Sequence, residues 1–294
     1  MNRKTIYALG FFDGVHLGHQ ALLAACRDLA DKAGCRAGAV TFATHPDMLV
    51  SGKSPALLNT IEDRKALLAA YGMETVLVLP FDESLMRTHW SAFLQQLTDA
   101  GAAGFVCGSD FRFGAKGNGT AKKLEAFCES HNFPCAIVPQ QELEGIRISS
   151  THIRSLLEQG KVQEANRFLG HAHVLTGTVV SGRQLGRTIG IPTANMALPP
   201  ELMVLKHGVY ACKATLGDKE YLAVTNIGNR PTVGGHEVRA ESWLLDFEGD
   251  LYGKEITLAF YKYLRPEETF PSLEALQAEI QKNALQTRKL LEKS

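Results

Sequence analysis

The sequence predicts two domains of different class. The first is an α/β domain built on a doubly wound parallel sheet, and the second is an antiparallel β-barrel domain with a terminal α-helix. Three observations carry this. Strand and helix patterns alternate through the first half, as a parallel sheet with helical crossovers requires. From His173 onward, strand patterns follow one another with turn residues and no helices between them, which implies an antiparallel sheet or small barrel. The length of 294 residues fits about two domains. The change of pattern near Gly170 divides the chain into 1–170 and 171–294.

Residues 6–12 form an apolar run that reads as a short buried strand, broken by the turn signal Asp13-Gly14. His16 and His19 follow, and then Leu22, Leu23, Cys26, Leu29 and Ala30 fall at helical spacing. That helix ends near Gly34. Residues 36–42 (RAGAVTF) and 75–81 (TVLVLPF) read as strands, with a helix over 62–71 between them. A helix over 90–100, a very short strand over 104–108 (GFVCG), a helix over 121–131 and a strand over 134–139 complete the alternation. Ser150 and Thr151 open a further helix with hydroxyls where caps belong. A helical pattern over 162–169 precedes the change. Strand patterns then cover 174–180, 209–216, 221–226, 241–247 and 256–264, with Gly217-Asp218 as a hairpin signal. An amphipathic segment from about 272 to 291 reads as the last helix.

Composition narrows the function classes. Basic and acidic residues balance at 31 each, which argues against a nucleic-acid sleeve or a membrane-surface binder. Apolar segments are interrupted well before the ~18 residues a membrane-spanning helix needs. The first residues lack a signal-peptide pattern. Cys26, Cys35, Cys107, Cys128, Cys135 and Cys212 form no Cys-x-x-Cys pair, so a zinc ribbon or redox pair is disfavoured and buried thiols in a reducing cytoplasm are expected. Nothing in the sequence sets the oligomeric state.

In an open parallel sheet, ligands bind beyond the carboxyl ends of the strands near the switch point. Three chemically rich loops fall at such ends: the His16/His19 turn, His45-Pro46, and Asp110-Phe111-Arg112. Gly14 and Gly18 allow close backbone approach. The helix start behind them offers unpaired N–H groups that suit phosphate. Two histidines three apart are open to three readings: solvated turn residues, a metal pair, or donors to phosphate oxygens. Helical metal pairs more often use i, i+4 spacing, so phosphate is favoured. The segment 108–114 sets a carboxylate, a guanidinium and two rings between glycines. It is either a turn with tucked rings or a holder for a planar ring with Arg112 on phosphate. Ser150, Thr151 and Arg154 are a helix cap, a triphosphate clamp, or both. Gly52-Lys53-Ser54 resembles the end of a P-loop, but Asp47 stands at the first glycine and no strand leads in, so it is set aside.

The richest stretch of the second half is 182–195. Gly182, Gly186 and Gly190 recur every four residues beside Arg183 and Arg187, and Pro192 precedes Thr193 and Asn195. The bland reading is a surface loop. The functional one is a phosphate cradle of backbone N–H groups, with Thr193 and Asn195 as hard oxygen ligands for Mg²⁺. Glu241 lies at the start of a strand pattern, as either a solvated carboxylate or a general base beside a substrate hydroxyl.

Taken together, the motifs resemble the bifunctional prokaryotic riboflavin kinase/FAD synthetase family, in order and over essentially the whole chain. The matching segments are 10–19 (GFFDGVHLGH), 110–114 (DFRFG), 148–154 (ISSTHIR), 192–195 (PTAN), 226–232 (NIGNRPT) and 241–253 (ESWLLDFEGDLYG). The His-x-Gly-His element alone points only to the wider nucleotidyltransferase superfamily. The resemblance implies a Rossmann-like nucleotidyltransferase domain and a riboflavin kinase barrel. It further implies transfer of the γ-phosphoryl of ATP to the 5′-hydroxyl of riboflavin in the C-terminal domain. In the N-terminal domain it implies attack of the FMN phosphate on the α-phosphorus of a second ATP, giving FAD and pyrophosphate.

By the same resemblance, His16 and His19 stabilise charge on the phosphates of ATP, with Gly14, Gly18, Ser150, Thr151 and Arg154 binding the nucleotide. His45, Asp110, Phe111 and Arg112 would form the FMN or nucleotide loop. Gly182, Gly186, Gly190, Thr193 and Asn195 would hold ATP and flavin, with Mg²⁺ on Thr193 and Asn195, and Glu241 would be the kinase base. The expected partners are riboflavin, FMN and ATP, without nucleic acid or membrane. Three positions depart from the family pattern: Phe11, the segment Ala43-Thr44-His45-Pro46, and Gly117. All lie in the first domain. They leave open a kinase with a degenerate N-terminal domain, beside a non-catalytic flavin or nucleotide binder and a metallohydrolase using His16 and His19.

Overall fold

The computed structural model describes residues 3–52, 54–180, 190–232 and 235–292. Contacts divide the chain into two compact units. One comprises 1–56 and 61–150, and the other 57–60 and 151–294.

In the first unit, β1 (Thr5–Leu9), β2 (Arg36–Phe42), β3 (Thr75–Leu79), β4 (Ala102–Gly108) and β5 (Cys135–Val138) form a parallel sheet. The strand order is β3-β2-β1-β4-β5, so the switch point falls between β1 and β4. All five residues of β1 are buried, as expected for a central strand covered on both faces. Ile6 and Ala8 face Leu22, Leu23, Cys26 and Ala30 of α1 (Leu17–Ala33). Tyr7 and Leu9 face the opposite way, toward Phe93, Leu94 and Leu97 of α5 (Trp90–Asp99) and Leu124 of α6 (Ala121–Ser130). This alternation is the strand period of two, and each large side chain so buried is worth about 1.5–3 kcal/mol.

The helix over 62–71 is α3 (Ile61–Ala70). Two short helices had no periodic signature: α2 (Pro46–Ser51), capped by His45, and α4 (Glu83–Arg87), capped by Asp82. Each holds too few residues to display an apolar stripe. Gly52, in the discarded P-loop likeness, has φ +71 and ends α2. A small hairpin, β6 (Glu142–Leu143) and β7 (Ile146–Arg147), leads to α7 (Ser150–Glu158).

The second unit takes in most of α7 and all of α8 (Val162–Leu169), two helices that a division at Gly170 assigns to the sheet. Asn166 joins α8 to the barrel: its Nδ2 donates to the Phe260 carbonyl at 2.8 Å, and its Oδ1 accepts from the His173 amide at 2.9 Å. The barrel is closed, in the order β10-β11-β12-β9-β8-β13. Its strands are β8 (His173–Val180), β9 (Ala194–Ala197), β10 (Gly208–Leu216), β11 (Lys219–Thr232), β12 (Gly235–Leu244) and β13 (Glu255–Arg265). The Gly217-Asp218 turn joins β10 to β11, with Leu216 opposite Lys219. Tyr210, Cys212, Thr225, Ile227, Ser242, Leu258 and Phe260 are fully buried on the inner face.

α9 (Leu273–Leu291) lies on the outer face, where Ala284 packs with Val209, Val224 and Leu245. The strand expected over 241–247 starts earlier and stops at Leu244. Beyond it, Asp246 takes φ +60, and its carboxylate receives Arg288 Nη2 at 2.7 Å on each oxygen. Gly182 and Gly186 lie outside the described residues.

Candidate functional site

Past the end of β1 the chain takes three left-handed positions within four residues, Phe12 (φ 60), Gly14 (φ 80) and Val15 (φ 40). A β-branched residue in that region costs on the order of 1–3 kcal/mol, and such strain persists only where packing enforces it. Phe12 and Val15 are both fully buried. The turn delivers His16 to the N-cap of α1, where its Nδ1 accepts the His19 amide at 3.2 Å. The two imidazoles stack with centroids 3.7 Å apart and planes 10° from parallel. Lone pairs of stacked rings run side by side and do not converge on one ion, which disfavours the metal-pair reading. Gly18 leaves room for this stack: a Cβ there would stand 3.2 Å from the His16 ring.

Burial holds the His19 imidazole well below the usual histidine range, with His16 and Arg64 adding to the effect. The ring is therefore neutral at pH 7 and offers a single N–H. Its Nδ1 is buried with no hydrogen-bond partner among the described residues. Ser150 Oγ donates to the Asp13 carbonyl at 2.9 Å, so the start of α7 is fastened to this turn. Thr151, exposed, accepts from Arg154 Nη2 at 3.2 Å, and both residues belong to the second unit.

The segments after β2, β3 and β4, with α5, build a cleft of about 970 Å³ walled by Phe11, Phe42, Phe81, Phe93, Phe111 and Phe113 and lined also by Arg112. His45 meets the Phe11 ring edge-on at 4.6 Å. Asp110 is not in that wall: its carboxylate accepts from Gln140 at 2.8 Å and Arg147 at 2.7 Å and pins the loop from outside. Sequence reasoning missed Arg64. It is fully buried on α3, 4.1 Å over the Phe11 ring. The available signal was its i, i+4 spacing from buried Leu68, which puts it on the inward face.

In the barrel, strand register does the positioning. Asn195 on β9, Glu241 on β12 and Asn226 on β11 are successive cross-strand partners, so they form one row on one face. Glu241 is thus in the middle of a strand, not at its start. It lines a cleft of about 320 Å³ with Thr193, Asn226, Val209, Val224 and Trp243, closed by Leu276 and Ile280 of α9. A second cleft of about 300 Å³ is lined by Pro192, Thr193, Phe247, Glu248, Asp250 and Tyr252. Thr193 lines both. Asn195 is buried, and its Oδ1 has no hydrogen-bond partner among the described residues. An orphaned carbonyl oxygen two residues from a hydroxyl fits a hard cation that completes its shell with phosphate and water. Among the described residues no three His, Cys, Asp or Glu side chains cluster as a metal site. Gly190 has φ +70 in the turn leading into this segment.

These two sites, a histidine turn at a strand end of a parallel sheet and a barrel with adjoining clefts, suit a two-module transferase, and comparison with known proteins agrees. The FAD synthetase family model matches residues 1–152, and the riboflavin kinase family model matches 169–291. The chain belongs to the bifunctional riboflavin kinase/FMN adenylyltransferase family. A member from Listeria monocytogenes is 34% identical over 289 residues, covering 97% of this chain and 92% of the relative. One from Escherichia coli (strain K12) is 35% identical over 287 residues, covering 96% and 91%. A crystal structure from Streptococcus pneumoniae, titled a macrolide-efflux protein, has a TM-score of 0.86 at 29% identity and covers 98% of this chain and 95% of its own. That title describes the other protein. Among the described residues here, no helix is long and apolar enough to cross a membrane.

Proposed function

We propose that the barrel unit phosphorylates riboflavin and the parallel-sheet unit adenylylates the resulting FMN, with ATP as co-substrate in both steps. The observation that carries the first assignment is Thr193, which lines both barrel clefts, with Glu241 facing one of them. The apolar cleft, walled by Val209, Val224 and Trp243, suits a flavin ring. The cleft along 247–252 takes the nucleotide, whose phosphate end meets the flavin hydroxyl at Thr193. Glu241 accepts the proton of that hydroxyl as the oxygen attacks the γ-phosphorus, and ADP leaves. Thr193 and Asn195 would hold Mg²⁺, which supplies charge neutralisation to the nucleotide phosphates when bound.

In the sheet unit, the phenylalanine-walled cleft takes the FMN ring, with Arg112 near its phosphate. A phosphate oxygen of FMN attacks the α-phosphorus of ATP, and the bond to pyrophosphate breaks. His16, His19 and the α1 N-terminus stabilise charge moving onto the leaving group. Ser150 fixes the turn. Gly14 and Gly18 keep the backbone close. In sequence the adenylylation domain takes 1–170 and the kinase domain 171–294, beside family models that span 1–152 and 169–291, while α7 beyond Ser150 and all of α8 pack with the barrel. A cytoplasmic setting fits the six free cysteines, which a reducing compartment keeps as thiols.

Chromatography of flavin products tests this, run from riboflavin and separately from FMN, with ATP and with Mg²⁺ or a chelator. Riboflavin gives FMN and then FAD, FMN gives FAD, and the chelator stops both. Absence of both products would refute the reading. FMN accumulating without FAD would remove the sheet-unit assignment alone.

A further inference from the structure

We infer that Arg64 is a positioning residue of the adenylyl-transfer site: a buried guanidinium that braces the His16–His19 turn and carries the fixed positive charge that substrate phosphates neutralise. This rests on the assignment of that turn to adenylyl transfer.

Arg64 has no exposed surface. Its Nη1 donates to Thr41 Oγ1 at 3.2 Å and to the Phe42 carbonyl at 2.9 Å. Thr41 Oγ1 in turn donates to the Phe11 carbonyl at 2.7 Å. The guanidinium lies 4.1 Å over the Phe11 ring. One side chain therefore holds the backbone and the ring of the residue where the turn departs from β1. Its other two nitrogens, Nε and Nη2, have no hydrogen-bond partner among the described residues. The acid whose charge reaches it is Asp13, in the turn itself.

A guanidinium stays charged in a protein, so burial does not simply neutralise it. Burying such a charge without a bonded counter-ion costs several kcal/mol. A core built only for stability is served as well by an apolar side chain of similar size. The location supplies a different reason. Arg64 acts on His19 as a neighbouring positive charge, at the strand end where a parallel sheet binds its ligand. A preorganised charge in a dry site acts strongly on negative charge that develops during reaction. Asp13 compensates this charge only from a distance, and polyanionic substrates add to that compensation. Phe11, a departure from the family pattern, is then the platform on which this cation rests.

The test compares wild type, R64M and R64K in three measurements: FAD formed from FMN and ATP, FMN formed from riboflavin and ATP, and the thermal midpoint without ligand. Methionine keeps the stem and removes the charge. R64M is expected to make FAD roughly 10²-fold more slowly, chiefly through kcat. Its riboflavin phosphorylation stays within about twofold, and its midpoint falls by no more than the loss of the Thr41 and Phe42 hydrogen bonds explains, equally in R64K. R64K recovers part of the lost rate, since it keeps a charge without the planar fork. R64M within about threefold of wild type in FAD formation overturns the inference. So does a loss accompanied by a midpoint lowered further than those hydrogen bonds explain and no recovery in R64K, which makes Arg64 a packing residue. A wild-type protein that makes FMN but no FAD breaks the underlying site assignment instead, and the inference with it.

Discussion

In the parallel-sheet unit the candidate site gathers at strand ends, whereas in the barrel it lies along the strands. The first draws His16 and His19 from the turn after β1, Phe111 and Arg112 from the loop after β4, and Ser150 from the start of α7. Each segment is held by a local device: strained turn residues, a helix cap, or a buried cation. The second needs no such devices, because pairing across β9, β12 and β11 sets Asn195, Glu241 and Asn226 side by side. A site of strand ends depends on the rigidity of its turns. A site along a sheet inherits its geometry from register, since a slip of one residue would turn the whole row to the other face.

The comparison breaks first at the catalytic groups. Glu241→Gln is isosteric and removes the proposed proton acceptor. FMN formation is expected to fall about 10²–10⁴-fold while FMN-to-FAD conversion holds. His19→Ala is expected to do the reverse, slowing FAD formation roughly 10²–10³-fold and sparing FMN formation. Product chromatography on both variants reads this directly. If either substitution removes both activities from a folded protein, the two regions do not work separately.

How much of this was legible in the sequence follows the same divide. The alternation of strands and helices in the first half, and its end at His173, carry the fold class because they are local patterns. The motif residues of the first site lie in short contiguous runs, so the His16/His19 turn and the helix start at Ser150 could be read directly. Arg64 could not: an arginine is expected at the surface, and its burial follows from the packing of α3 against β2 and the turn. The row in the barrel was also hidden. Asn195 and Glu241 were found as separate candidates, but β9 is four residues long and register is a long-range property. Asn226 went unassigned for that reason. The wrong strand end at 247 has a specific cause: the apolar run Leu244-Leu245 continues past the point where Asp246 leaves the extended region.

Acid stability offers a third contrast. His173, at the entry to the barrel, is buried, and its Nε2 has no hydrogen-bond partner among the described residues. Burial, with His171 nearby, pushes its pKa down to about 3. Between that value and about 6.5 the unfolded chain binds a proton that the folded chain refuses. Stability is therefore full above pH 6.5 and declines as pH falls toward 3. The loss from this one residue is about 2 kcal/mol at pH 5. His173→Met should flatten that decline, measured by denaturant unfolding at pH 7 and pH 5. An unchanged slope would mean that the burial of His173 does not govern the acid response of the barrel.

The smallest expected effect asks whether the barrel's two clefts are mechanically joined. Asp246 begins the segment that carries Phe247 to Tyr252 along one cleft, while Arg288 stands on α9, which walls the other. Their two 2.7 Å contacts bridge the two walls. Asp246 is 74% exposed in its side chain, so the pair is screened and worth only about 0.2–1 kcal/mol. Asp246→Asn should leave the thermal midpoint nearly unchanged. If the bridge aligns the clefts, KM for riboflavin and for ATP in FMN formation rise together by a few-fold, and added salt produces the same rise in wild type but little more in the variant. FAD formation from FMN should not respond. A change in KM for one substrate alone would show that each cleft keeps its own wall, and that register, without this bridge, sets the geometry of the barrel site.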